Sequence, residues 1–365
     1  MKSRTGTGFS KNDTNIAKGI GIALILFSHV FENTFIYGTD NSQTFLFYGL
    51  TRLLCKYGGG FMAVFSAISG YGIYKQSEKK SIKDIIVQRE VKLLGIYIPV
   101  YIICSLAYIT LNENGLTSFL QIYGLGEYNS ISIAFRIAID MLGLRCLFHM
   151  PTLNLTWWYM SVEHVIIFIL PLLIEVSKKL RIKTVVLAII IGYCAYVEKT
   201  SASFYGGFSC NLLAAYIGYY IGDTKAFEHD LNMKSSVMVC LFCLVLMIAG
   251  ITLLETLNTY FAFSFLGITV MLYVRYSNLL HAKGIENILA FVGKNSGIVF
   301  MVHSFFLSIL ECFSFIYDYK YALVTYIVTM LLSLAVGVVA NGLLKTKRYQ
   351  GFLQKSIGYL QEHIN

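Results

Sequence analysis

A few ionisable side chains interrupt the long apolar runs of this 365-residue chain, and their spacing suggests proton transfer beside a phosphate-bearing ligand. An ionisable residue inside a bilayer-crossing run costs about 2.5–3.5 kcal/mol, so each one asks for a reason. Lys18 and His29 stand 11 residues apart in the first run. That is close to three helical turns, so both project from one face roughly 16 Å apart. An imidazole among apolar groups stays uncharged and can accept a proton. A base deep in the run and an ammonium at its start suit a long donor with a phosphate head and a reactive tail, the shape of an acyl-CoA. A lysine reaching for headgroups and a histidine hydrogen-bonded within a helix bundle explain the same pair without any reaction.

Three further positions extend the pattern. Glu163 lies about 10 Å from the outer end of its run, nearly level with His29. A carboxylate there could fix the imidazole tautomer and stabilise the imidazolium as it forms. Glu32 competes for that role, and a plain inter-helix hydrogen bond is the alternative for Glu163. His303, in the inner half of a late run, fits contact with the donor's arm better than the proton transfer itself; a structural histidine fits equally. Arg89 and Lys92, three residues apart before the third run, would add positive charge for phosphates. Ordinary basic residues of the cytoplasmic side explain them as well.

The elements that must hold these residues follow from composition. The chain is 56% hydrophobic and only 13% charged, with a mean hydropathy of +0.64. So few charges cannot solvate a water-facing globule of this size. The expected fold is an all-α polytopic bundle of about ten transmembrane helices, each long enough for a core of roughly 30 Å. The runs are 16–37, 53–74, 93–111, 156–176, 180–197, 205–222, 235–254, 261–276, 296–316 and 321–344. Lys and Arg cluster on alternate loops and leave Arg52, Lys56, Arg136, Arg145, Lys199 and Lys320 on the other side. By the positive-inside rule both termini are cytoplasmic.

One membrane domain over 1–365 is therefore expected, with a cytoplasmic segment 1–15, an extracytoplasmic segment 112–155 and a cytoplasmic tail 345–365. Within the outer segment, 130–144 mixes apolar and charged positions; it reads as an interfacial amphipathic helix or a simple re-entrant or surface segment. The first run lacks an A-x-A-like cleavage site and reads as retained. The net charge of +9 borders apolar runs, which points to the lipid bilayer rather than nucleic acid. Cys240 and Cys243 form a CxxC inside an apolar run with no partner at metal-ligand spacing, so packing residues are expected and no metal.

Taken in order, these segments resemble the membrane-bound family-3 acyltransferases, which O-acylate glycans and related acceptors. Lys18 to His29 is similar to that family's Arg/Lys-x10-His signature. Phe61 to Tyr74, with Ser69-Gly70, resembles its Phe-rich Ser-Gly helix. Arg89-Glu90-Val91-Lys92 before Pro99 resembles its basic stretch before helix three. Trp158 to Glu163 followed by Pro171 looks like its Trp…Glu…Pro helix, and Gly293-Lys294-Asn295-Ser296 to His303 its late Gly-x-x-Ser…His segment.

The resemblance implies His29 as the catalytic residue, Lys18 and Arg89 as donor-phosphate contacts and Glu163 as a supporting acid. It implies acetyl-CoA or another acyl-CoA as donor and a glycan or lipid-linked saccharide as acceptor, at the plasma membrane. Lysine at two positions where the family has arginine replaces a bidentate phosphate contact by a point charge. Some members carry a further soluble C-terminal domain; here the membrane domain is expected to act alone. A carrier or flippase for a lipid-linked glycan would also need buried polar residues. No internal repeat and no matched pair of broken helices supports it. A membrane glycan polymerase would be expected to show a large outer loop with several arginines; segment 112–155 has Arg136 and Arg145.

Overall fold

The computed structural model describes residues 8–36, 58–200, 203–228, 263–276, 283–316 and 322–363, with a few positions between 238 and 245. In chain order the helices are α1 (Lys11–Ile36), α2 (Met62–Ser77), α3 (Ile82–Leu111), α4 (Gly115–Ile122), α5 (Ser130–Met141) and α6 (Trp158–Lys179). They continue with α7 (Lys183–Thr200), α8 (Ser203–Asp223), α9 (Phe263–Tyr276), α10 (Lys283–Ser304), α11 (Ala322–Leu344) and α12 (Lys347–His363). A π-helical turn, Phe305–Ile309, extends α10. Among the described residues there is no strand, and the fold is all-helical.

Five of these segments are long and apolar enough to cross a bilayer: Lys11–Phe31, Ile82–Leu111, Leu155–Lys179, Gly284–Ile309 and Leu323–Leu344. Two shorter apolar helices, Lys183–Cys194 and Phe263–Tyr276, coincide with the expected fifth and eighth runs. The expected run 235–254 lies almost wholly outside the described residues. Segment 130–144 does contain a helix, α5, and the tail forms α12.

The chain divides into two compact units. The first comprises Met1–Ser28, Arg52–Ile85 and Phe168–Ser296. In it α1 begins at a reciprocal cap, with Ser10 N–H donating to Asp13 Oδ2 (2.8 Å) and Asp13 N–H to Ser10 Oγ (3.1 Å). Without a hydrophobic drive between helices in lipid, close backbone approach and inter-helix hydrogen bonds must hold them together. The packing of α2 on α8 shows both. A Cβ on Gly70 would sit 1.8 Å from Ala215 O, and one on Gly218 2.0 Å from Ala67 O. Beside this crossing, buried Ser66 donates to Asn211 Oδ1 at 2.7 Å. The α1–α10 contact is equally close, since a Cβ on Gly293 would meet Asn15 O at 1.7 Å.

The second unit comprises His29–Thr51, Ile86–Ile167 and Gly297–Asn365. Pro99 lies inside α3, where its missing N–H frees the carbonyl four residues earlier. That carbonyl, Gly95 O, accepts from Tyr349 of α12 at 2.5 Å, which docks the amphipathic C-terminal helix on α3. Leu353 and Ile357, the buried positions of α12, complete its packed face. Trp157 is fully buried and donates its indole N–H to Met301 O at 2.9 Å, tying the start of α6 to α10.

Candidate active site

The site is built on the end of α10 in the second unit. His303 is fully buried, and its Nδ1 lies 2.7 Å from Phe300 O and 3.3 Å from Val299 O. A carbonyl can only accept, so His303 Nδ1 carries a hydrogen. The neutral ring then presents an unprotonated Nε2, and that atom lies 2.9 Å from His29 Nδ1. His29 Nδ1 must therefore be the donor. A neutral His29 consequently keeps its Nε2 lone pair free of hydrogen, and Nε2 has no protein partner among the described residues. Two hydrogen bonds, starting from one backbone carbonyl, thus select the tautomer of a proton acceptor.

His29 also lines a cavity of about 370 Å³. Leu153, Leu155, Leu307 and Ile309 supply its apolar wall, and Asn154, Thr156, Ser304 and Ser308 its polar wall. The cavity meets two irregular segments, the loop before α6 and the π turn after α10. π turns occur frequently where a functional site needs side chains re-aimed. Asn112 fixes the far end of this one, with Nδ2 donating to Ile309 O (2.8 Å) and Oδ1 accepting from Glu311 N (3.1 Å).

The loop is held by Asp140 of α5, which is fully buried. Its carboxylate accepts from Tyr123 OH (2.7 Å), Thr152 Oγ1 (2.7 Å) and Leu153 N (3.0 Å). Burial pushes this carboxyl above its ordinary range, and those three hydrogen bonds oppose the shift. Tyr101 OH pairs with Tyr123 OH at 2.9 Å, extending the network to α3. Asp140 thus ties one wall of the cavity to the rest of the unit.

The residues expected from the sequence fall in several places. His29 and His303 come together directly, whereas His303 was expected along the donor's arm. Glu163 accepts from Tyr159 OH at 2.9 Å, and Arg89 of α3 lies within reach of its charge. Both are half-buried. Lys92, one turn beyond Arg89, is exposed, and Lys18 lies on α1 in the first unit. The side chain of Glu32 is outside the described residues.

A second pair, buried His164 and half-buried Glu90, sits beside Arg89 and Glu163, on the next residue of each helix. His164 Nδ1 meets Glu90 Oε1, and His164 Nε2 donates to Leu142 O at 2.8 Å. With Nε2 holding a hydrogen for Leu142 O, the ring faces the carboxyl group through Nδ1. Ionisable residues inside a run signal such pairs, and by that signal His164 belonged with Glu163; Glu90 precedes the third run and gave no such signal. Asn154, Thr156 and Ser304 carry no charge and gave no such signal.

Residues 12–342, nearly the whole chain, match a family model described as an acyltransferase domain. No curated protein and no solved structure matches the chain.

Proposed function

Because the chain belongs to the membrane-bound family-3 acyltransferases, it is a membrane acyltransferase, and we propose that it carries an acyl group, acetyl foremost, from acyl-CoA to a hydroxyl of a cell-surface glycan or its lipid-linked precursor. The observation that supports a base-catalysed transfer is the His29–His303 pair beside a cavity. In this reading His29 Nε2 takes the hydroxyl proton as the acceptor oxygen attacks the thioester carbonyl. The C–S bond then breaks, the acyl group stays on the acceptor oxygen, and the departing sulfur takes the proton from the imidazolium. Atoms balance as thioester plus alcohol giving ester plus CoA thiol. His303 is a positioning residue that holds the ring and its tautomer.

The donor's phosphates are assigned to the basic residues named from the sequence: Lys18 on α1, and Arg89 and Lys92 on α3. Glu163, close to Arg89, is assigned the orientation of that guanidinium rather than of the imidazole. About ten spans, both termini cytoplasmic, an outer segment 112–155 and a plasma-membrane location belong to the same reading. The span number and sidedness rest on the apolar runs and the distribution of Lys and Arg along the chain, and the location on the family resemblance.

Membranes containing the full chain, given acetyl-CoA, are expected to release free CoA thiol and to gain glycan esters visible by NMR. Thiol release indistinguishable from membranes lacking the chain would contradict the reading; a carrier gives none. Lys18→Ala should chiefly raise the apparent KM for acetyl-CoA, since it removes a contact made equally before and during reaction. An unchanged KM removes its assigned role. His303→Ala should lower kcat by at least about tenfold with little change in donor KM, because His29 loses its acceptor. His303→Gln keeps an acceptor oxygen and should recover part of the rate. Equal rates in all three forms would show that His303 does not position the base.

A further inference from the structure

The polar wall of the cavity can be resolved hydrogen by hydrogen. Asn154 Nδ2 faces Met301 O at 3.3 Å and Ser304 Oγ at 2.6 Å, so both amide hydrogens are in use. Its Oδ1 accepts from Thr156 N (3.0 Å) and from Thr156 Oγ1 (2.9 Å). A carbonyl on one side and a backbone N–H on the other leave only this orientation of the carboxamide. The Thr156 hydroxyl hydrogen is thereby committed, and toward Ser304, 3.3 Å away, Thr156 can only accept. Ser308 reaches Ser304 O only at 3.4 Å, so its hydroxyl hydrogen is loosely held as well, but no short bond to its own oxygen polarises it among the described residues.

Of the two loosely held hydroxyl hydrogens, that of Ser304 is the polarised one. Ser304 Oγ receives a short bond from Asn154, which draws electron density from its own O–H. The protein acceptor nearest to hand for that hydrogen, Thr156 Oγ1, is distant and weak, so turning the O–H into the cavity costs little. Ser304 is buried, follows His303 in the chain and lines the same cavity as His29. A base and a hydrogen-bond donor on the wall of one cavity are the two groups that hydroxyl attack on a thioester needs. The base takes the proton from the attacking oxygen, and the donor meets the negative charge that develops on the carbonyl oxygen.

We propose that Ser304 is the oxyanion donor of this enzyme, hydrogen-bonding the thioester carbonyl oxygen as it becomes negative, with Asn154 as the positioning residue. This deepens the proposed function and rests on His29 as the base. No proton leaves Ser304; its O–H shifts from Thr156 to the substrate oxygen and returns when the C–S bond breaks.

The test uses membranes containing the full chain, with acetyl-CoA as the probe and free thiol as the readout. Ser304→Ala is expected to lower kcat by about 10²–10³-fold, the usual loss for one such donor, with acetyl-CoA KM within about twofold of wild type. Ser304→Thr, which keeps the hydroxyl, is expected to recover most of the rate. If Ser304→Ala fails to insert, Ser304→Cys, with its poor donor, takes its place with the same expectation. A kcat within about threefold of wild type, or a loss carried by KM alone, overturns the assignment. Should His29→Ala abolish turnover while Ser304→Ala does not, the base stands and only the oxyanion donor falls. Should His29→Ala leave turnover intact, the proposed function falls first.

Discussion

His29→Ala is expected to reduce acyl transfer by about 10²–10⁴-fold, the range over which a positioned base contributes. The loss should appear in kcat and in kcat/KM together, because Nε2 acts on a proton that moves only in the transition state. His29→Gln provides the sharper comparison. Its amide can still hydrogen-bond His303 Nε2, so the contact at 2.9 Å has a replacement and the helix ends stay joined. Yet an amide nitrogen has no basic lone pair, and turnover should stay as low as in the alanine form. Normal insertion of His29→Gln with lost thiol release is the predicted result. Retained turnover in His29→Gln would assign the site a binding role only.

Gly70→Ala is expected to be among the most destabilising single methyl additions in the first unit, alongside Gly293→Ala. Its Cβ would lie 1.8 Å from Ala215 O, a backbone atom of α8 that cannot rotate away. Relief requires the two helices to separate, which also stretches the Ser66–Asn211 hydrogen bond of 2.7 Å. Overpacking costs about 1–3 kcal/mol even where side chains can adjust, so a loss at or above the top of that range is expected. Thermal unfolding in detergent measures it. Gly192→Ala on α7 is the control, since a Cβ there meets nothing within 4 Å. Equal midpoints for the two variants would show that the α2–α8 crossing is not the close contact described.

These two expectations differ in how legible they were in the sequence. His29 stood out because an imidazole in an apolar run is costly, and Lys18 and His303 stood out by the same rule. Depth along a helix follows from residue counting, but the direction a residue faces around the bundle does not. Counting placed Glu163 level with His29; around the bundle that carboxylate accepts from Tyr159 and lies within reach of Arg89. It placed His303 lower, on the donor's path, although its ring meets His29.

Uncharged residues were harder still. Asn154, Thr156 and Ser304 look like ordinary loop and helix residues until a π turn and a capping loop bring them to one wall. Asp140, which sits in a segment that reads as an interfacial helix or a re-entrant or surface segment, is fully buried as the anchor of that loop. Gly70 had the right neighbour, Ser69, for a familiar segment, but the backbone carbonyl that forbids a side chain belongs to α8, more than a hundred residues away. Helical character, by contrast, was written in composition, because lipid leaves the backbone no other partner than itself.

The most direct test is a structure of the full chain in lipid with a thioether analogue of acetyl-CoA, which binds but cannot transfer its acyl group. The account predicts the acyl carbonyl inside the cavity walled by Asn154, Thr156 and Ser304, with His29 Nε2 facing the space where an acceptor hydroxyl would lie. An acyl group resting elsewhere, with that cavity filled by side chains or lipid, would contradict it.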